Sequence, residues 1–239
     1  MSTRLFEKYR PKAWNEVIGQ DAALRTIEIL RRRGLGGRAF WISGPSGVGK
    51  TTIARLLARE IAEEFFVTEI DAQQLTTPLL RQMRETMRLC AWGRGGRVLI
   101  VNEAHGLRAD VVRELLVWLE ELPAHAMVIF TTTTGGEGEL AGRLHDFAPL
   151  LSRCIDLRLE CEPTGAAEHV KRIAAREGRD GAPLAEYERL AEQTRHNLRA
   201  MLNAVEAGQM MQGWSPEYHK AGGTEVEYRS GPGERVVHV

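Results

Sequence analysis

The sequence predicts an α/β fold: a parallel sheet interleaved with helices, followed by a small all-helical domain. Three observations carry that expectation. A glycine-rich octapeptide, Gly44–Thr51, stands between a short apolar run and a helix-periodic segment. Further continuous apolar runs alternate with helical stretches, the pattern of strands buried on both faces. From about residue 164 strands cease, and three short helical segments follow over roughly fifty residues.

The octapeptide Gly44, Pro45, Ser46, Gly47, Val48, Gly49, Lys50, Thr51 fits the phosphate-binding pattern G-x-x-x-x-G-K-[ST] at every fixed position. Ala39–Ser43 before it reads as a buried strand, and Thr52–Ala62 after it is apolar at helical spacing. Strand, loop and helix are the context the pattern requires. Glycines allow backbone N–H groups to close around phosphate oxygens, and the helix N-terminus adds partial positive charge. Lys50 adds a full charge at the β/γ-phosphates, and Thr51 offers a hydroxyl to Mg²⁺. A nucleoside triphosphate with Mg²⁺ is the implied ligand, with Thr52 completing the binding segment.

In chain order, Leu5–Trp14 reads as an extended arm, because Pro11 disfavours helix at Arg10. A helix follows from about Ala22 to Arg33, with Asp21 as N-cap and Gly34, Gly36 and Gly37 ending it. Arg31–Arg33 read as a solvated, dipole-complementing last turn rather than a DNA contact. Phe65–Asp71 reads as a second strand, and Thr77 caps a helix with Pro78 in its first turn. Arg81, Arg84 and Arg88 share one face of that helix, with Arg94 and Arg97 beyond. The stripe suits nucleic-acid phosphates or is a solvated arginine face. Val98–Val101 reads as a central strand ending in Asn102-Glu103, where P-loop ATPases keep acids for the metal and the attacking water. A helix over Arg108–Glu121 and a strand at Met127–Phe130 follow, the strand ending in Thr131–Thr134 where open sheets bind ligands. A glycine-bearing loop, with a short helix near Leu140–Leu144, leads to a last strand at Ile155–Leu159. Helices are expected at 164–177, 183–194 and 197–210, and Gly213–Val239 reads as a mobile tail.

The totals narrow the function classes. In 239 residues, Lys plus Arg equal Asp plus Glu at 32 each, so any electrostatic partner site must be local. Cys90, Cys154 and Cys161 lack zinc or disulfide-framework spacing. No apolar run approaches a membrane span, and the opening residues lack a signal-peptide core. A cytoplasmic chain with no membrane partner is the expectation.

With these motifs in this order, the chain resembles the AAA+ ATPases of DNA-polymerase clamp loaders, namely replication factor C small subunits and the polymerase III gamma/tau type. The match is carried by Phe6–Pro11, Val17–Gln20, Gly44–Thr51, Glu103-Ala104, Leu119–Glu121, Ser152-Arg153-Cys154 and Asn197–Arg199 with Asn203. It covers about residues 4–210. The resemblance implies a five-stranded αβα core over residues 1–160, a three-helix lid over 161–212, and nucleotide held between them. Tyr9, Arg10, Pro11, Val17 and Ile18 would line the base and ribose side. Glu103 would be the base and Asn102 would stand with Thr51 at the metal. Thr133, with Thr132 as second choice, would sense the γ-phosphate. Arg199 would touch it from the lid, and Arg153 would enter a neighbouring subunit's site as an arginine finger. Arg81 falls where such proteins contact DNA backbone.

Three departures from that family stand out. Asn102 replaces the first acid of the pair, which predicts slow hydrolysis. His196 stands where a glycine often precedes the lid motif. No helical collar is expected after Gln212, and the four-cysteine zinc insert of the gamma/tau type is missing. The implied partners are like or related AAA+ subunits, DNA and a sliding clamp. Alternative readings are a weakly hydrolysing nucleotide-dependent switch, or an ATPase of transposition or recombination.

Overall fold

The computed structural model describes residues 4–90, 95–133, 144–161 and 165–211. Arg94 and the expected tail at 213–239 lie outside them, as does all but the last residue of the short helix expected near Leu140–Leu144. Five parallel strands form one sheet: β1 (Arg38–Gly44), β2 (Val67–Asp71), β3 (Arg97–Asn102), β4 (Ala126–Thr133) and β5 (Cys154–Arg158), in the order β2-β3-β4-β1-β5. The helices are α1 (Leu5–Lys8), α2 (Asp21–Arg33), α3 (Lys50–Ile61), α4 (Thr77–Met87), α5 (Ala109–Glu120), α6 (Leu144–Leu151), α7 (Ala166–Arg176), α8 (Leu184–Gln193) and α9 (Leu198–Glu206).

The continuous apolar runs divide because strand side chains alternate faces. Trp41, Leu99, Val101, Val128 and Phe130 pack on α4, α5 and α6 through Leu80, Met87, Val111, Leu115, Trp118 and Phe147. Phe40, Ile42, Ile100, Met127 and Ile129 pack on α2 and α3 through Ile27, Ile53 and Leu57. A sheet covered on both faces follows directly from strands without polar alternation. A third cluster, Val170, Ile173, Tyr187, Leu190, Met201 and Val205, is the core of the α7–α9 bundle.

The opening arm is not extended. Leu5–Lys8 form a helical turn, and Leu5 is buried among the bundle residues, with Phe6 and Tyr9 packed beside it. Pro11 restricts only Arg10, which leaves the preceding turn free to coil once Leu5 has an apolar wall to bury against. This segment therefore sits in the helical bundle, although the expected 1–160 unit grouped it with the sheet.

Smaller corrections have local causes. Asp21 is the first residue of α2, not its cap. Gln20 precedes it and spends its amide on the far end of β5, its Nε2 donating to Glu160 O at 2.7 Å. Thr76 rather than Thr77 caps α4, accepting from Leu79 N, while Thr77 Oγ1 donates to Asp110 of α5 at 2.8 Å. Phe65 and Phe66 belong to a 3-10 turn at Glu64–Phe66, so β2 starts at Val67. After the glycine-bearing segment, the described helix starts at Leu144 and runs through Pro149 to Leu151.

Candidate functional site

The glycine loop is shaped by contacts that only glycine admits. Gly44 (φ +147°), Gly47 (φ +76°) and Gly49 (φ +108°) take backbone angles that disfavour side chains, and Gly49 caps α3. A Cβ at Gly44 would lie 2.3 Å from Leu159 O, and one at Gly47 would lie 2.2 Å from Asn197 Oδ1. Lys50 is nearly enclosed, and its Nζ donates to Gly44 O at 2.9 Å and Pro45 O at 2.8 Å. The ammonium is thus folded over the loop. Val48 is buried in the core beneath, and Thr51 is half-buried in the first turn of α3.

A cleft beside the loop gathers the residues expected at the base and ribose. Tyr9, Arg10, Pro11, Val17, Ile18, Gly47, Thr52 and Arg199 line it together with Phe6, Glu16, His169, Leu198 and Leu202. Arg10 Nη1 donates to Thr52 Oγ1 at 3.2 Å, so Thr52 faces the arm. Arg199 lies 5.3 Å over the Phe6 ring, a cation–π contact that places its guanidinium at the cleft wall. Tyr9 Oη donates to Glu177 at 2.5 Å, and hydrogen bonds from Lys8 first and then Tyr9 hold the Glu177 carboxyl below its usual range.

The helical bundle touches the loop through Asn197. Its Oδ1 caps α9 by accepting from Ala200 N at 3.1 Å, and its Nδ2 donates to Ser46 O at 2.7 Å. Arg195 and His196 just before it both have positive φ, so the chain is bent tightly to aim this side chain. Asn197→Ala should lower stability by about 1 kcal/mol through the lost cap. The same variant should weaken nucleotide binding through the freed loop carbonyl. Thermal unfolding with and without nucleotide checks both.

At the sheet's carboxyl edge, Glu103 follows β3 with φ +51°, a strained conformation for a residue with a side chain. Its Oε2 is enclosed without a hydrogen bond among the described residues, 3.5 Å from His105 Nδ1. A carboxylate oxygen without a hydrogen bond, on the same carboxyl edge of the sheet as the glycine loop, fits a site completed by metal, water or ligand. Asn102 is more constrained than the sequence suggests. Its Nδ2 donates to Glu69 Oε1 at 2.7 Å, its Oδ1 accepts from Thr131 Oγ1 at 2.9 Å, and Glu69 is held in turn by Arg55 of α3 at 2.9 Å. One lone pair of the amide oxygen is left for a metal-bound water. Thr133 pairs in register with Gly44, on the same sheet face as Thr131. Thr132 is buried on the other face, against the His105 ring at 3.3 Å.

Arg153 lies elsewhere. It immediately precedes β5, whose first residue Cys154 pairs with Ala39 near the start of β1. Ala39 and Gly44 are five residue steps apart, about 17 Å along a parallel strand. Arg153 therefore sits at the end of the sheet opposite its own loop. Its Nη1 donates to Pro149 O at 2.8 Å and its Nε to Glu120 Oε1 at 3.1 Å.

The arginine stripe shares a helix face but is not a free positive field. Arg81 forms two bonds to Glu114 at 3.1 and 3.2 Å, Arg84 pairs with Glu121, and Arg88 pairs with Glu85 at 3.4 Å. Two of these three acids lie more than thirty residues further along the chain, on and just after α5. Among the described residues no cluster of three His, Cys, Asp or Glu side chains suits a metal, and no helix is long and apolar enough to cross a membrane.

Comparison with known proteins agrees with this geometry. Residues 40–147 match the family described as AAA, the ATPase family associated with various cellular activities. The chain is 31% identical over 154 residues to DNA polymerase III subunit gamma/tau of Mycobacterium tuberculosis, covering 54% of this chain and 27% of that one. It is 28% identical over 181 residues to replication factor C small subunit 1 of Pyrobaculum arsenaticum, covering 72% of this chain and 52% of that one. The match thus spans about a quarter to a half of those relatives' lengths. Among solved structures, a RuvB variant of Thermotoga maritima superposes with a TM-score of 0.64 at 24% identity, over 83% of this chain and 64% of that one, a likeness of fold. Loop, sheet order, helical bundle and sequence kinship together support a clamp-loader-type AAA+ ATPase.

Proposed function

We propose that the chain binds and hydrolyses ATP as one subunit of a clamp-loader-type assembly acting on DNA in replication or repair. The observation that carries this reading is the position of Arg153. Lys50 folds over the loop, Thr133 pairs with Gly44 and Arg199 shares a cleft with Gly47, whereas Arg153 precedes β5 at the opposite end of the sheet, where it would meet a neighbouring subunit's nucleotide. Lys50 and the loop N–H groups would hold the phosphates, and Glu103 would take the proton of the attacking water. Thr133 and Arg199 would sense the γ-phosphate. Thr51, with Asn102 through its remaining lone pair, would hold Mg²⁺, which when bound supplies charge neutralisation at the β- and γ-oxygens.

The test is mass in solution with and without ATP, Mg²⁺ and primed DNA, alongside turnover. Nucleotide-dependent assembly with like or related subunits supports the reading. A chain that stays solitary under all these conditions, with every offered partner, overturns it.

DNA is the proposed substrate surface, and a sliding clamp is the further partner that kinship suggests. Arg81, Arg84 and Arg88 would exchange their glutamates for phosphates on binding. Replacing all three should weaken DNA binding on any sequence and flatten its dependence on salt. Glu114→Gln, which frees Arg81, should strengthen it. An unchanged salt slope in both would remove the stripe from the interface.

The Asn102 network favours a second reading, a switch that holds ATP and scarcely turns it over. Asn102→Asp supplies the missing negative charge and keeps the bond from Thr131, while it trades the bond to Glu69 for a pair of facing carboxylates that a cation would relieve. A gain in turnover of about a hundredfold or more, the scale of about 3 kcal/mol of electrostatic stabilisation, would identify the parent as a switch. Little change would leave it a working ATPase.

A further inference from the structure

We propose that Glu69 is a positioning residue for the metal site: it fixes which end of the Asn102 amide points in toward the loop side of the sheet, so that Asn102 presents oxygen there and not N–H. This rests on the reading above that ATP is held with Mg²⁺, and it names a residue outside every motif of that site.

The sheet order sets the arrangement. β2 is the edge strand, β3 lies next to it, and β4 separates β3 from β1, which carries the loop. Glu69 pairs in register with Ile100, two residues before Asn102, so Glu69 and Asn102 are diagonal neighbours on one sheet face. Thr131 joins them from the other side, because Ile100 also pairs with Ile129, two residues before Thr131. This is the face that α3 covers, and from α3 Arg55 reaches Glu69. Thr51 lies four residues before Arg55, hence on the same side of that helix. Arg55, Glu69, Asn102 and Thr131 thus form one hydrogen-bonded row along the carboxyl edge.

Only one grip on the amide has a direction. A hydroxyl both donates and accepts. Thr131 Oγ1 donates to Asn102 Oδ1 at 2.9 Å, but it could equally accept from Nδ2 if the amide turned over. An ionised carboxylate has no proton to give. Glu69 Oε1 accepts from Asn102 Nδ2 at 2.7 Å, and its Oε2 accepts from Arg55 Nε at 2.9 Å. A turned-over amide would set its oxygen against that carboxylate. Glu69 therefore holds the nitrogen outward, toward the edge strand, and the oxygen inward, toward β4 and β1. The guide matters because residue 102 is Asn. Aspartate would carry oxygen at both ends, whereas an amide offers a hydrated cation either an acceptor or a repelling N–H.

Glu69→Gln reverses the guide at nearly constant size. Arg55 has only donors, so it takes the glutamine oxygen and leaves the glutamine NH₂ facing Asn102. The Asn102 oxygen then turns outward to accept, and N–H points in.

The test measures affinity for a non-hydrolysable ATP analogue with Mg²⁺ and with a chelator, and the ratio is the gain due to the metal. Glu69→Gln should lower that gain about tenfold, the scale of one hydrogen bond to a charged partner. Its affinity in chelator should stay within about twofold of the parent, which also shows that the variant is folded. Asn102→Ala should lose a similar factor, and adding Glu69→Gln to it should change nothing further, since no amide remains to be turned. An unaltered gain in Glu69→Gln overturns the assignment. So does an equal loss in the Asn102→Ala background, which would mean that Glu69 acts through its charge and not through the amide. A parent that binds the analogue with no gain from Mg²⁺ overturns this assignment alone. A parent that binds no analogue under either condition overturns the ATP-binding reading, and this one with it.

Discussion

Arg153→Ala should bind ATP within about twofold of the parent and lose turnover by about a thousandfold, the lower range for removing an arginine finger. The substitution costs little stability. The Arg153–Glu120 pair is largely exposed, and such pairs contribute about 0–1 kcal/mol. The sharper form of this prediction mixes two inactive chains. Glu103→Gln lacks the base but keeps the guanidinium; Arg153→Ala is the reverse. Where an Arg153→Ala loop faces a Glu103→Gln neighbour, every catalytic group is present again, so the mixture should hydrolyse ATP although neither chain does alone. A mixture as silent as its components would mean that Arg153 does not act between subunits. The opposite-end geometry of β5 makes this outcome specific, because a residue serving its own loop could not be complemented.

Gly44→Ala should be the most damaging single-methyl change in the site. The new Cβ would fall 2.3 Å from the backbone oxygen of Leu159, which is itself tied to Ser43 through a strand-type hydrogen bond of 2.8 Å from Leu159 N. A flexible side chain could swing aside; a backbone carbonyl next to β5 cannot. Strain at φ +147° adds to the overlap, and the two together should cost roughly 2–5 kcal/mol. Gly49→Ala has a strained φ as well, but nothing lies within 4 Å of its would-be Cβ. It should lose only about 1–2 kcal/mol. Denaturant unfolding of the two variants side by side checks the ordering. Equal losses would show that backbone angle, not contact with Leu159, governs the loop.

These two predictions also mark where the sequence is informative. The loop is legible because its requirements are local: glycines at fixed spacing, a strand before, a helix after. The central strands β1, β3 and β4 are legible because short apolar runs between helical stretches fit little besides strands covered on both faces, while the edge strands β2 and β5 keep polar residues such as Glu69 and Asp156. What escapes is set by contacts between distant positions. Leu5 coils because its neighbours include α9; its N–H reaches Glu206 at 3.4 Å, across nearly the whole described chain. The acids that quench Arg81 and Arg84 come from beyond their own helix. Asn102 reads as a lost charge until Glu69 and Thr131 are seen to grip both ends of its amide. His169 is a single histidine on an amphipathic helix, with no spacing to set it apart, and only the cleft shows what it faces. Glu103 stands out in the sequence by its place after an apolar run, but its strained backbone and orphaned oxygen do not.

The burial of Leu5 in the helical bundle has a practical corollary. Because α1 precedes the sheet in the chain yet rides with α7–α9, the Leu5 segment is a handle on the lid. A fluorophore coupled near Arg4, paired with one on α2, would change its energy transfer whenever the two lobes pivot about the cleft. Two dyes on α2 and α5 would report nothing of that swing. Trimming away the first nine residues would remove a wall of the bundle, so a shortened version would misrepresent the lid before any nucleotide was added.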